Sequence, residues 1–239
     1  MLVGWQSKLR KFLNVTRNGL IVSCQSSKGE PFHGTKFMVA YALAAEIGGA
    51  VGIRTNGPKY IKAIKKAVSI PVIGIYKRRY PNSSVYITPT QNEAKLVAEA
   101  GADVIGIDAT LRPRPRNTSL AHLIRFIKEH LDLPVLADVS TLDEAINAEK
   151  LGADIIATTL SGYTEYTRDK LHHGPDIELV GELVGKLKVP VIAEGRYQSP
   201  AEARKAIEMG AHAVVVGAAI TSPHKIVERF VREIKKVVD

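Results

Sequence analysis

Beyond residue 18 the chain alternates between two patterns. Short runs that are apolar at nearly every position, such as VPVIAEG from Val189, give way to longer stretches whose apolar residues recur every three or four positions. The runs predict buried strands over 20–25, 50–54, 71–77, 103–108, 134–138, 154–158, 190–194 and 213–217. The longer stretches predict amphipathic helices over 36–47, 91–100, 120–131, 142–151, 176–187 and 201–209. Thr90, Ser119, Thr141 and Ser199 stand at helix starts as N-cap residues, and Pro200 takes a first helical position.

The alternation is itself repeated. EIGGAVGIR from Glu46, EAGADVIGID from Glu99, KLGADIIATT from Lys150 and EMGAHAVVVG from Glu208 share one plan of helix end, glycine, small residue and strand, and their glycines are spaced by 52, 51 and 58 residues. Between them IPVIGIYK, LPVLADVS and VPVIAEGR repeat a second plan, in which a proline precedes the strand. Each interval holds two strand-helix units, so four pairs make eight. Strands apolar on both faces and separated by helices belong to a parallel sheet with both faces covered. Eight units in one chain of this length predict a single-domain (β/α)8 TIM barrel over 19–239, because a doubly wound open sheet ordinarily needs fewer strands.

Catalytic groups of such barrels stand at the C-terminal strand ends. Here those ends carry Cys24 and Gln25, Arg54, Lys77 with Arg78 and Arg79, Asp108, Asp138, Thr158 and Thr159, Glu194 with Arg196, and Gly217. The seventh is the sharpest case, an apolar run that stops in a carboxylate, a glycine and a guanidinium. Ionised groups are costly to bury unpartnered, so this strand end faces water or a ligand. The segment LSGYTEYTRDKLHHGP, 160–175, is long for a connection and suggests a cover over the mouth, with Tyr163 and the hydroxyls of Thr159, Ser161 and Thr164 available to a ligand.

Composition narrows the partners. The chain has 239 residues, 45% of them hydrophobic, one cysteine and a formal charge of +9. One cysteine excludes an intrachain disulfide framework and suits a reducing, cytoplasmic setting. No run is long and apolar enough for a membrane span. The positive charge favours anions, phosphorylated metabolites or nucleic acid. Arg112, Arg114 and Arg116 are the nucleic-acid candidates, but Pro113 and Pro115 interrupt them and no aromatic residues interleave, so no nucleic-acid partner is expected. Neither a nucleotide-binding glycine fingerprint nor a metal-ligand spacing occurs, since His172 and His173 are adjacent; no cofactor and no metal are expected. The first 29 residues hold five cations and no acid. A basic amphipathic helix over 1–18, closing the barrel bottom with Trp5, Leu9, Phe12 and Leu13, explains them better than a transit peptide, because the first strand follows at once.

At this point SCQSSKGEPF, GIRTNG, YKRRYPNSSVYITPT, DATLRPRP, ADVST, TTLSGYT and AEGRYQSPAEA can be taken together. In order and at the right strand ends, they resemble the successive signatures of the N-acetylmannosamine-6-phosphate 2-epimerase family. The resemblance implies a cofactor-independent isomerase of amino-sugar and sialic acid catabolism, acting at C2 of an N-acyl-D-mannosamine 6-phosphate to give the N-acyl-D-glucosamine 6-phosphate. By analogy it also makes a homodimer plausible.

Residue by residue, the resemblance makes Lys77 the acid/base and Glu194 its carboxylate partner. Gln25, Arg54, Asp138, Thr159 and Tyr163 are then substrate contacts. Gly195, Arg196, Gly217, Ala218 and Ser222 fall at the phosphate end, after strands 7 and 8. A lysine that moves protons near neutral pH needs a lowered pKa, which desolvation and the charges of Arg54, Arg78 or Arg79 supply. Competing roles stay open: Glu194 as the ion-pair partner of Arg196, Arg54 with Asp138 as a half-buried structural pair, Asp108 as a loop brace, and Lys77 as a Schiff-base nucleophile in another phosphosugar barrel. One departure stands out. Family members commonly place arginine before the proline that follows AIT, where this chain has Ser222; Arg196, His224 or Lys225 are the cations left to substitute.

Overall fold

The computed structural model describes residues 4–237. Eight parallel strands close in chain order: β1 (Gly19–Cys24), β2 (Gly52–Asn56), β3 (Val72–Ile75), β4 (Val104–Asp108), β5 (Val135–Asp138), β6 (Ile155–Ala157), β7 (Val191–Glu194) and β8 (Ala213–Val216), with β8 pairing back onto β1. Outside them lie α1 (Gly4–Thr16), α2 (Thr35–Ile47), α3 (Pro58–Lys65), α4 (Gln91–Glu99), α5 (Leu120–His130), α6 (Leu142–Lys150), α7 (Ile177–Lys186), α8 (Pro200–Glu208), α9 (Ala218–Thr221) and α10 (Pro223–Lys235). This is a single-domain (β/α)8 barrel.

Local chemistry explains the regularity. Gly49, Gly101, Gly152 and Gly210 all have φ between +87° and +96°, the left-handed turn that ends a helix and that a Cβ disfavours. At the other end of the helices, Thr141 and Ser199 close reciprocal caps with Glu144 and Glu202. Inside the barrel Ile21, Ile73, Val104, Leu136, Ile155, Ile192, Ala213 and Val215 form one cluster, and Phe12 of α1 plugs it from below. A larger layer, including Ile53, Ile105 and Ile107 with Ile61, Val97, Leu123 and Leu183, fills the space between sheet and helices. Each such side chain contributes about 1.5–3 kcal/mol. Lys8 bonds Asp132 at 2.9 Å and Lys128 lies 3.8 Å from the Trp5 ring centre, tying α1 to the end of α5. The first three positions of the helix expected over 1–18 lie outside the described residues.

Three differences from the sequence reading matter. β2 runs two residues later than 50–54, because Gly49 and Ala50 are spent on the turn. β3 stops at Ile75, two residues short of 77, where the chain folds back on itself. α3 adds an eight-residue helix that starts on Pro58 and was too short to stand out as a period. α10 is unlike the rest: none of its residues is buried.

Candidate active site

The reversal beyond β3 sets the lysine. Lys77 bridges Ile87 and Tyr80 bridges Ser83, so residues 76–88 form a small antiparallel flap. The Arg78 N–H bonds the Tyr86 carbonyl at 2.9 Å, and the Tyr76 N–H bonds the Thr88 hydroxyl at 3.0 Å. Asn56, the last residue of β2, accepts the Lys77 N–H at 2.8 Å. The flap closes through a fully buried Thr88 at φ +43°, a conformation that costs a β-branched residue about 1–3 kcal/mol and persists where packing enforces it.

Below the lysine, itself exposed at the mouth, lies an ion cluster in which Arg54 and Asp138 are fully buried and Glu194 keeps an 11% exposed edge. Arg54 makes a two-pronged contact with Asp138, Nη1 to Oδ1 at 2.9 Å and Nη2 to Oδ2 at 2.7 Å, and its Nη1 also lies 2.9 Å from Glu194 Oε2. Arg54 is 1% exposed and Asp138 not at all, so the expected half-buried pair is wholly buried. Glu194 pairs with Arg54, whereas Arg196 has no acidic partner among the described residues. Thr159 Oγ1 lies 2.6 Å from Asp138 and 3.1 Å from Glu194, and its one proton serves either carboxylate in turn. Thr158 Oγ1 fixes the backbone of Glu194 from both sides, accepting its N–H at 3.0 Å and donating to its carbonyl at 2.9 Å.

This arrangement moves two proton affinities towards each other. Desolvation pushes the Glu194 carboxyl up to about 6, with Asp138 adding to the effect and Arg54 opposing it. Desolvation in the mouth, then the positive charge of Arg54, pulls the Lys77 ammonium down from its usual value, against the upward pull of Glu194 and Asp138; Arg79 lowers it further. Arg78 is instead 3.9 Å from Glu93. Burial pulls Arg54 down as well, but Asp138 and Glu194 outweigh it and hold the guanidinium charged. An acid raised and an amine lowered at one site is the pattern of a proton-transfer pair.

A cavity of about 540 Å³ opens above the cluster. Gln25, Arg54, Lys77, Thr159, Tyr163 and Glu194 line it, and Asp138 lies behind Arg54. Gln25 donates to Ser23 at 2.7 Å while its Oε1 is buried without a partner, an acceptor available to a bound N–H. Gly195, Arg196, Gly217, Ala218, Ser222 and Lys225 make the end nearest β7 and β8. Arg196 itself has φ +60°, and its guanidinium bonds the carbonyls of Gly174 and Ser161 and lies over the Tyr163 ring. Among the described residues no group of three or more His, Cys, Asp or Glu has the geometry to hold a metal.

Other candidates are spent on structure. Asp108 accepts from Thr110 and, at 2.8 Å, from Arg112, which makes it a loop brace. Arg112 and Arg114 are each 9% exposed and bond Asp108 or nearby carbonyls, whereas Arg116 is exposed. Ser161 and Thr164 are buried and bonded to Asp176, Ser140 and Thr167. Among the cavity residues that the sequence reading did not single out are Asn56 and Tyr86. Asn56 lay beyond the strand end predicted at residue 54, and Tyr86, whose hydroxyl pKa burial, Asp108 and Asp138 push up to about 12, enters only through the flap.

Comparison with known proteins identifies the family. Residues 38–236 match the family model described as "Putative N-acetylmannosamine-6-phosphate epimerase". A protein of Caldanaerobacter subterraneus subsp. tengcongensis with the name "Putative N-acetylmannosamine-6-phosphate 2-epimerase" is 56% identical over 220 residues, 92% of each chain. One of the same name from Clostridioides difficile is 48% identical over 223 residues, 93% of this chain and 99% of that one. The solved structure of the N-acetylmannosamine-6-phosphate 2-epimerase from Clostridium perfringens superposes with a TM-score of 0.89 at 44% identity, covering 92% of this chain and 95% of the other. With most of its length matched by the family model and by relatives this similar, the chain belongs to the N-acetylmannosamine-6-phosphate epimerase family.

Proposed function

We propose that the chain interconverts N-acetylmannosamine 6-phosphate and N-acetylglucosamine 6-phosphate by removing the C2 proton of the open-chain sugar and adding a solvent-exchanged proton from the other face. The carrying observation is that Lys77 and Glu194 line one cavity, with Glu194 held 2.9 Å from Arg54 and 3.1 Å from Thr159, where desolvation lowers the amine and raises the carboxyl. The C1 aldehyde acidifies the C2 proton. Neutral Lys77 takes it while protonated Glu194 donates to the enolate oxygen that develops; the Lys77 ammonium, whose protons exchange with solvent, then delivers a proton to the opposite face of C2 as Glu194 takes its own proton back from the enol oxygen. Gln25 Oε1 accepts the acetamido N–H. Backbone N–H groups at Gly195, Gly217 and Ala218, with Ser222 and Lys225, receive the phosphate. The cavity volume leaves room for acyl groups other than acetyl, so the wider N-acyl range is part of the reading.

Incubation with N-acetylmannosamine 6-phosphate should yield the gluco epimer, and Lys77→Gln should lower turnover by about 10²-fold or more. Borohydride added during turnover separates the Schiff-base alternative: a covalent sugar adduct on Lys77 would replace proton transfer with nucleophilic attack.

We further propose a homodimer. α10 exposes Val227, Phe230 and Ile234 at 59%, 67% and 64%, along one face of a helix that a second copy would cover. Sedimentation should give twice the chain mass, reduced to one by Phe230→Glu. A cytoplasmic setting completes the reading, supported by a lone Cys24 that is buried and whose thiol burial pushes up to about 12.

A further inference from the structure

Arg196 stands two residues past the carboxylate at the end of β7, yet its side chain reaches neither Glu194 nor any other acid among the described residues. It turns to the 160–176 segment instead. Nε bonds the Gly174 carbonyl at 2.5 Å, Nη1 bonds the Ser161 carbonyl, and Cζ lies 5.7 Å from the centre of the Tyr163 ring. One guanidinium therefore holds both ends of the segment and the aromatic residue between them. The neighbours are shaped around it. Gly162 sits at φ +82°, and a Cβ there would lie 2.5 Å from Arg196 Nη1, so glycine leaves the space the guanidinium fills. Gly195 at φ +118° and Arg196 at φ +60° bend the chain away from the strand direction in two left-handed steps, which aims the side chain sideways. Independent bonds then stiffen the rest: Ser161 to Asp176 at 2.5 Å, Lys170 to Asp176 at 2.9 Å, and the Gly162 N–H to Thr167 at 2.9 Å.

Tyr163 and Arg196 both line the cavity, and of the two the Tyr163 ring stays half exposed at its mouth. We propose that Arg196 is a positioning residue: it staples the 160–176 segment to the end of β7 and so holds the Tyr163 ring at the mouth beside the substrate, and the cationic share of phosphate binding falls to other groups. A guanidinium that satisfies the carbonyls of buried Ser161 and part-buried Gly174 would leave both unpaired if it swung to a phosphate. The inference rests on the proposed reaction for its kinetic arm only.

The test uses the full chain with Arg196→Lys, Arg196→Ala, Tyr163→Ala and Arg196→Ala/Tyr163→Ala. Amide hydrogen exchange, which needs no substrate, should speed up by about 10-fold or more at Gly162, Tyr163 and His173 in Arg196→Ala while the strands stay protected. Unchanged exchange there overturns the staple whatever the reaction proves to be. In the kinetic arm, kcat/KM should fall by about 10-fold or more in Arg196→Ala, and the double variant should lose no more than the larger single loss, because both changes remove one element. Inorganic phosphate as competitive inhibitor should keep its inhibition constant within about 3-fold in the same variant; the constant of a direct phosphate ligand shifts by more, since a charge-assisted bond is at stake. Losses that multiply, or a phosphate constant weakened by about 10-fold or more, overturn the proposal. If Arg196→Ala does not fold, Gly162→Ala displaces the same guanidinium from the other side, and it must reproduce the exchange and inhibition pattern.

Discussion

The proposed chemistry turns on one proton divided between Lys77 and Glu194, and that makes it visible in a pH profile. Below about pH 6 both Lys77 and Glu194 are protonated; above the lowered pKa of Lys77 neither is. Only the singly protonated pair holds a neutral amine beside a neutral acid. A plot of kcat/KM should therefore be bell-shaped, with an acid limb near 6 and an alkaline limb below the ordinary lysine value. Glu194→Gln should abolish the limb near 6 and lower turnover, with the melting temperature close to wild type because the amide still meets Thr159 and Arg54 keeps Asp138. The hydroxyl of Thr159 favours ionised Glu194, so Thr159→Val should move the acid limb to higher pH. A limb that stays put or moves down would detach Thr159 from the pair. Asp138 is a different case. Asp138→Asn leaves a fully buried Arg54 without its two-pronged partner and should cost about 3–5 kcal/mol of stability, read as a lowered denaturation midpoint.

Among the elements, the loops after β7 and β8 carry the prediction about phosphate. If Gly195, Gly217 and Ser222 seat it, unphosphorylated N-acetylmannosamine should show kcat/KM lower by about 10²-fold or more, since binding energy remote from C2 orients the reacting end. Comparable use of the free sugar would empty those loops of their role. This scale also divides what a reader of the sequence finds from what remains hidden. The glycines and prolines that punctuate each strand-helix unit act through local backbone geometry, so the barrel and its strand ends are legible from one sequence. Asn56 is hidden by a two-residue error in a strand boundary, and Tyr86 by a flap whose antiparallel bridges depend on tertiary contacts. The role of Arg196 is hidden for a related reason: its partners are carbonyls, which carry no sequence signature.

For the whole molecule, closure of the sheet is what brings Asp138 and Glu194, far apart in sequence, each within 3 Å of the Arg54 guanidinium. The net charge of +9 adds a long-range attraction for a phosphorylated sugar. The central claim is that this enclosed cluster moves a proton on and off C2. Proton NMR of N-acetylmannosamine 6-phosphate incubated with the chain in deuterated water tests it most directly. The account predicts that the gluco epimer appears with deuterium at C2, and that Lys77→Gln suppresses epimer and label together. Epimer formed without any solvent deuterium at C2, or no change in the sugar at all, would contradict it.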